Sequence, residues 1–146
     1  MSSPSRLDPN GTPLALVVSM TDALFRNSTA HADGFRDVDP TLLHAHLGDA
    51  PIIDVRELHE FRGELGHIPV ARLVPLETLA VAAGSWDRDK ALVLVCRSGG
   101  RSAQAARQLV QLGFTRVMNT RGGMVAYSEA GLPVERGSAD ESGRRP

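Results

Sequence analysis

Apolar and polar positions are arranged in blocks along the middle of the chain, and the blocks change period. The run KALVLVC (90–96) puts five consecutive apolar residues before Cys96, the pattern of a parallel strand buried on both faces. The next segment switches to a spacing near 3.6 residues: Ala103, Ala106, Leu109, Val110 and Leu112 recur on one side, and Gly113 stops the helix. The same alternation runs through the preceding residues. FRDVDP (35–40) predicts a short strand and then a helix start, with Asp39 as cap and Pro40 in the first turn. TLLHAHLG follows as a short amphipathic helix closed by Gly48. PIIDV (51–55) is an apolar run of strand type, RELHEFRGEL a helix and loop, ARLVPL (71–76) a short strand ended by Pro75, and ETLAVAAGSW a helix with an alanine-rich face. TRVMNT gives another short strand, and GGMVAYSEAG a turn and helix. Strands alternating with helices predict an α/β fold whose parallel sheet is covered on both faces. In such sheets the chemistry collects beyond the carboxyl ends of the strands, and Cys96 occupies that kind of position.

The ends of the chain lack this order. Residues 1–34 carry Ser, Pro, Asn, Gly and Thr without clear periodicity and are expected to form a partly disordered extension with one short helix near 15–26. The domain itself is expected over 35–136, and the polar tail GSADESGRRP (137–146) as disordered. Met20 opens MTDALFRN like an ordinary start, so translation from Met20 is an expectation that N-terminal sequencing of native protein tests. The longest early apolar stretch, PLALVV (13–18), is too short to span a bilayer and has only Arg6 before it. A cytoplasmic protein without membrane contact is expected.

Composition narrows the classes further. The 146 residues suit one domain with one sizeable core. With 16 basic and 17 acidic residues, one Trp and one Tyr, nothing favours nucleic acid as a partner. A single cysteine cannot form an internal disulfide. The histidines His31, His44, His46 and His59 form no cluster with Cys96 at metal-ligand spacing, so neither metal nor cofactor is expected.

Chemistry concentrates in CRSGGRS (96–102). Gly99 and Gly100 let the loop curl tightly between strand and helix. A curled loop that leads into a helix turns successive N–H groups inward as a nest for anionic charge, and the helix dipole adds to that field. A cysteine placed there, with Arg97 and Arg101 near, is expected to ionise readily and act as a nucleophile without an adjacent base. The competing reading is a cysteine packed as a small hydrophobe, which has no use for two glycines, two arginines and two serines in the next six residues.

At this point the sequence resembles a single-domain rhodanese, over about Phe35 to Arg136. IIDVRELHEFRGELGHIPVARLVPL (52–76) is similar to the family's Asp-Val-Arg strand end and Gly-His-Ile-Pro segment, VCRSGGRS (95–102) to its active-site loop, and TRGGMVAYSEAGLPVE (120–135) to its closing Gly-Gly and Gly-Leu-Pro segment. The resemblance implies a five-stranded parallel sheet wrapped by helices. It implies a sulfurtransferase in which Cys96 becomes a persulfide, while Arg97, Ser98, Gly99, Gly100, Arg101 and Ser102 form the substrate-binding loop. The donor would be thiosulfate or a persulfide. The acceptor would be cyanide or an external thiol such as glutathione, thioredoxin or a sulfur-carrier protein. Phosphotyrosine phosphatases place five residues between cysteine and arginine; here four separate Cys96 from Arg101, and the next position is Ser102. Three departures stand out: Val70 where the family has a second glycine, Leu73 where it has asparagine, and Tyr127 where it has tryptophan.

Two readings stay open for the neighbours. Asp54 and Arg56 end a strand on the same edge as the loop, either supporting the site or bracing a strand-to-helix turn. Arg101 either contacts substrate or pairs with a carboxylate such as Glu60. His67 is expected to be structural. The rival functions are a phosphatase or arsenate reductase on the same fold, and a non-catalytic binding module.

Overall fold

The computed structural model describes Pro9 and residues 22–136. Of the extension expected to be partly disordered over 1–34, residues 22–34 are described and carry a short helix and a strand, while 1–21 apart from Pro9, Met20 among them, lie outside the described residues, as does the tail 137–146. Among the described residues six strands form one sheet: β1 Thr29–Ala30, β2 Arg36–Val38, β3 Ile52–Asp54, β4 Arg72–Leu73, β5 Leu92–Val95 and β6 Val117–Thr120, in the order β1-β2-β6-β5-β3-β4. Five of them run parallel, and β1 pairs antiparallel with β2 through Thr29↔Asp37 and Ala30↔Arg36. The five-stranded expectation is therefore corrected to six. Both residues of β1 are exposed at the sheet edge, so no hydrophobic pattern marks the strand in the sequence. Its place in the sheet is set by backbone pairing with β2.

The helices are α1 Ala23–Arg26, α2 Pro40–Ala45, α3 Leu58–Phe61, α4 Leu76–Ala83, α5 Gly100–Gln111 and α6 Gly123–Glu129. Helix α2 stops at Ala45, short of Gly48, and α1 occupies only the end of the expected 15–26 span. On the expected apolar face of α5, Ala106 and Leu109 are buried and Ala103 and Val110 pack partly buried against the same core, while Leu112 is 41% exposed and Ala105 is buried in addition. No helix among the described residues is long and apolar enough to cross a membrane.

Period-two alternation along the central strands builds a core on each face of the sheet. Val93 and Val95 of β5 join Leu43, Phe61, Met118 and Tyr127 on one side. Leu92, Leu94 and Cys96 point the other way, against Leu79, Ala105, Ala106 and Leu109 of α4 and α5. Because β3, β5 and β6 are parallel neighbours, their carboxyl ends share one edge. That edge carries Asp54 closing β3 and Arg56 beyond it, Cys96 after β5, and Asn119 and Thr120 closing β6.

Candidate active site

Cys96 follows the last residue of β5 and is 1% exposed. The chain then turns through Gly99, whose φ of +109° is the left-handed region that glycine enters freely. This conformation brings the Gly99 N–H back to Cys96 Sγ at 3.1 Å. Gly100 begins a twelve-residue helix whose first amides have no acceptor within the helix and face the loop with the positive end of the dipole. Ser102, fully buried, brings its hydroxyl to 3.3 Å from Sγ. The sequence-predicted loop thus folds around one sulfur atom.

Helix α6 holds the loop from behind. Met124 N–H donates to the Cys96 carbonyl at 2.8 Å and Val125 N–H to the Arg97 carbonyl at 2.9 Å. With those carbonyls held by α6, the Gly99 amide is left to face the sulfur. Gly123 makes the approach possible: a Cβ there would lie 2.5 Å from both carbonyl oxygens. The closing Gly-Gly of the sequence therefore belongs to the site without touching a substrate.

The arginines divide. Arg97 is exposed, and among the described residues its guanidinium has no hydrogen-bond or ion-pair partner. Arg101 instead grips Glu60 with two hydrogen bonds of 2.8 Å, one to each carboxylate oxygen. Glu60 Oε1 also accepts the Glu57 N–H at 3.0 Å, which caps α3. The Arg101 bond foremost, with the Glu57 amide adding to it, pulls the Glu60 carboxyl down to about 2. Glu60 in turn raises the guanidinium of Arg101. This pair walls off two hollows beside the loop. One of about 220 Å³ is lined by Arg56, His59, Glu60 and Arg97, the other of about 460 Å³ by Glu57, Leu76, Arg101 and Gln104. A larger hollow opens at the amino ends of the strands, bordered by Ile52, Ala91 and Arg116, away from the sulfur.

Asp54 and Arg56 are both buried and bound to each other. Asp54 Oδ1 accepts from the Arg56 amide at 3.1 Å and Nε at 2.9 Å, and Oδ2 accepts from Nη2 at 2.8 Å. Nη2 also donates to the Gly66 carbonyl at 2.8 Å, tying the strand end to the GHIP segment. His67, 1% exposed, stacks on Phe61 with centroids 3.7 Å apart, and its Nδ1 lies 2.8 Å from the Phe61 carbonyl. These geometries are those of braces.

Two site residues escaped the sequence reading. Asn119 brings Oδ1 within hydrogen-bond distance of the Ser102 hydroxyl, and its Nδ2 lies 3.4 Å from Asp37 Oδ1 on the neighbouring strand. The available signal was a polar residue inside the buried run of β6, at the same edge where the other strands carry Asp54 and Cys96.

The fold and site together define a class: a doubly covered, mostly parallel sheet presenting a lone cysteine in an amide-lined loop at its carboxyl edge. Within that class the chain belongs to the rhodanese-like domain family, whose model matches residues 39–130. Relatives include a sulfurtransferase of Allochromatium vinosum, 35% identical over 101 residues that cover 67% of this chain and 92% of that protein. Thiosulfate sulfurtransferase GlpE of Shewanella oneidensis is 39% identical over 79 residues, covering 54% of this chain and 76% of its own. Among solved structures, a rhodanese-related protein from Thermoplasma volcanium matches with a TM-score of 0.64 at 29% identity, covering 70% of this chain and 100% of that one.

Proposed function

We propose that this protein is a sulfurtransferase that carries sulfane sulfur on Cys96. The observation that carries the reading is the loop geometry: one buried sulfur, an amide at 3.1 Å, a hydroxyl at 3.3 Å and a helix amino terminus converging on it. The relatives named sulfurtransferase support it from outside. Covalent catalysis of this kind divides a transfer into two displacements at sulfur. In the first, the Cys96 thiolate attacks the outer sulfur of thiosulfate; a new S–S bond forms, the old one breaks, and sulfite leaves with the electron pair. In the second, an acceptor thiolate or cyanide attacks the terminal sulfur, and Cys96 recovers its thiolate.

The roles follow from what each side chain is free to do. Loop amides and the dipole of α5 would hold the charge of the terminal persulfide sulfur. Arg97, whose guanidinium has no partner among the described residues, would draw the anionic donor to the mouth. Arg101, engaged by Glu60, would keep the loop in shape, as Asp54 and Arg56 do for the strand end. The chain has no second cysteine, so the acceptor comes from outside: a small thiol, thioredoxin or a sulfur-carrier protein.

The test is intact mass after brief incubation with thiosulfate, beside Cys96→Ser. We expect the native protein alone to gain one sulfur atom and to lose it to cyanide. A folded, reduced protein that gains nothing from thiosulfate, mercaptopyruvate or a low-molecular-weight persulfide overturns the reading.

A further inference from the structure

Behind Cys96 the Ser102 hydroxyl continues into Asn119 and Asp37, two polar groups to which the sulfur-transfer steps give no role. Ser102 Oγ, fully buried, is within hydrogen-bond distance of three atoms: Cys96 Sγ at 3.3 Å, the Gly99 carbonyl at 3.3 Å, and Asn119 Oδ1 at the shortest separation. A hydroxyl has one proton, so only one of these can receive it. Asn119, 6% exposed, faces Asp37 with its other end. The two residues are register partners on β2 and β6 and so project to the same face. An ionised carboxylate only accepts, which turns the Asn119 NH2 toward Asp37 and leaves Oδ1 toward Ser102. The Ser102 proton is thereby drawn to Asn119, and the hydroxyl offers Cys96 a lone pair.

We propose that Asn119, oriented by Asp37, is a positioning residue for Cys96: it holds the Ser102 hydroxyl as an acceptor of the thiol proton and withholds it as a donor to the thiolate. The nest of amides and the helix dipole favour the anion, while this chain favours the protonated thiol, so the resting nucleophile is balanced between them. Once Cys96 carries sulfur, the negative charge sits on the outer atom and the inner sulfur has no proton to give, so the bias acts on the empty carrier only. The proposal deepens the sulfurtransferase reading by naming a control on the same cysteine.

The experiment is the pH profile of iodoacetamide alkylation of Cys96, which requires no sulfur donor. Removing the acceptor frees the hydroxyl. Of the two acceptors left at 3.3 Å, an anionic sulfur outcompetes the Gly99 carbonyl, which already takes the Ala103 amide at 3.0 Å. Asn119→Ala and the bulkier Asn119→Leu are each expected to move the alkylation midpoint down by about one pH unit, which raises the thiolate fraction below it about tenfold and speeds alkylation there by several-fold, since the more acidic thiolate is the weaker nucleophile. In a Ser102→Ala background the same substitutions are expected to change nothing. Asp37→Asn, at the partly exposed end of the chain, is the third variant, and its Ser102-dependent part should have the same direction. The other charges around the thiol are left in place: Arg97, the Arg101–Glu60 pair, the Asp54–Arg56 pair, and Arg121, which lies 3.9 Å from Asp37. A midpoint that stays, rises, or shifts equally with and without the Ser102 hydroxyl overturns the proposal. A protein that accepts no sulfur from any donor yet shows the Ser102-dependent shift loses the sulfurtransferase reading and keeps this one.

Discussion

At the scale of single residues, burial and partner count separate side chains that look alike in the sequence. Arg56, Arg97 and Arg101 all border the loop, and only Arg97 is uncommitted among the described residues. Arg97→Gln is therefore expected to leave unfolding unchanged within about 0.5 kcal/mol. It should raise KM for thiosulfate several-fold with a smaller effect on kcat; steady-state kinetics and urea titration on one preparation check both. Arg56 is the opposite case. Arg56→Met strands the fully buried Asp54 carboxylate and is expected to cost about 3 kcal/mol or more. The double change Asp54→Leu with Arg56→Met should recover most of that loss, because it removes the buried charge as well as its partner. Denaturant midpoints of the three proteins decide. The sequence left both residues between two roles because spacing cannot show whether a guanidinium faces solvent or a carboxylate 2.8 Å away.

At the scale of elements, two turns show how backbone conformation supports the site. Gly123 begins α6 at φ +60°, and a side chain there meets the very carbonyls that α6 restrains. Gly123→Ala is expected to destabilise the fold by about 2 kcal/mol and to slow alkylation of Cys96 as the loop opens; thermal melts and thiol kinetics measured together test the coupling. Val70 is the converse. The resemblance leads one to expect glycine at this place, and the structure keeps a glycine conformation: Val70 sits at φ +68° and is 69% exposed. A β-branched residue in the left-handed region is strained by roughly 1–2 kcal/mol, against which the extra chain entropy of glycine returns about half. Val70→Gly should therefore raise the melting temperature by a few degrees without touching sulfur uptake. The strands and helices between these turns were legible because each buries a face, and burial writes a period into the sequence. Strand β1 and the early stop of α2 were not. The first is exposed at both positions, and the second is ended by His46, whose backbone leaves the helix, rather than by the expected glycine.

At the scale of the whole molecule, the site is an edge where two cores meet. Phe61 of α3 packs in one core, while Ala105, Ala106 and Leu109 of α5 pack in the other. The Arg101–Glu60 pair joins these helices across the carboxyl edge, 41 residues apart in the chain. Cys96 and its loop could be read from local spacing; Asn119 and Asp37 could not, since their meeting depends on β2 lying beside β6. The strap also gives the fold a pH dependence. Glu60 is lowered from 4.5 to about 2 when folded, so its contribution is complete above the unfolded value of 4.5 and is lost as the pH falls through about 2. The pair is partly exposed, 38% for Arg101 and 21% for Glu60, which screens it to about 1 kcal/mol at neutral pH. Other carboxylates also protonate in acid, but they do so alike in the native protein and in Glu60→Gln, and the difference between the two isolates Glu60. That difference, from urea unfolding at a series of pH values, is expected to be level from pH 7 to about 5 and to shrink steadily below. Added salt should narrow it at every pH. A gap that stays constant into acid would show that Glu60 acts as a neutral hydrogen-bond acceptor, with its charge contributing nothing to the strap.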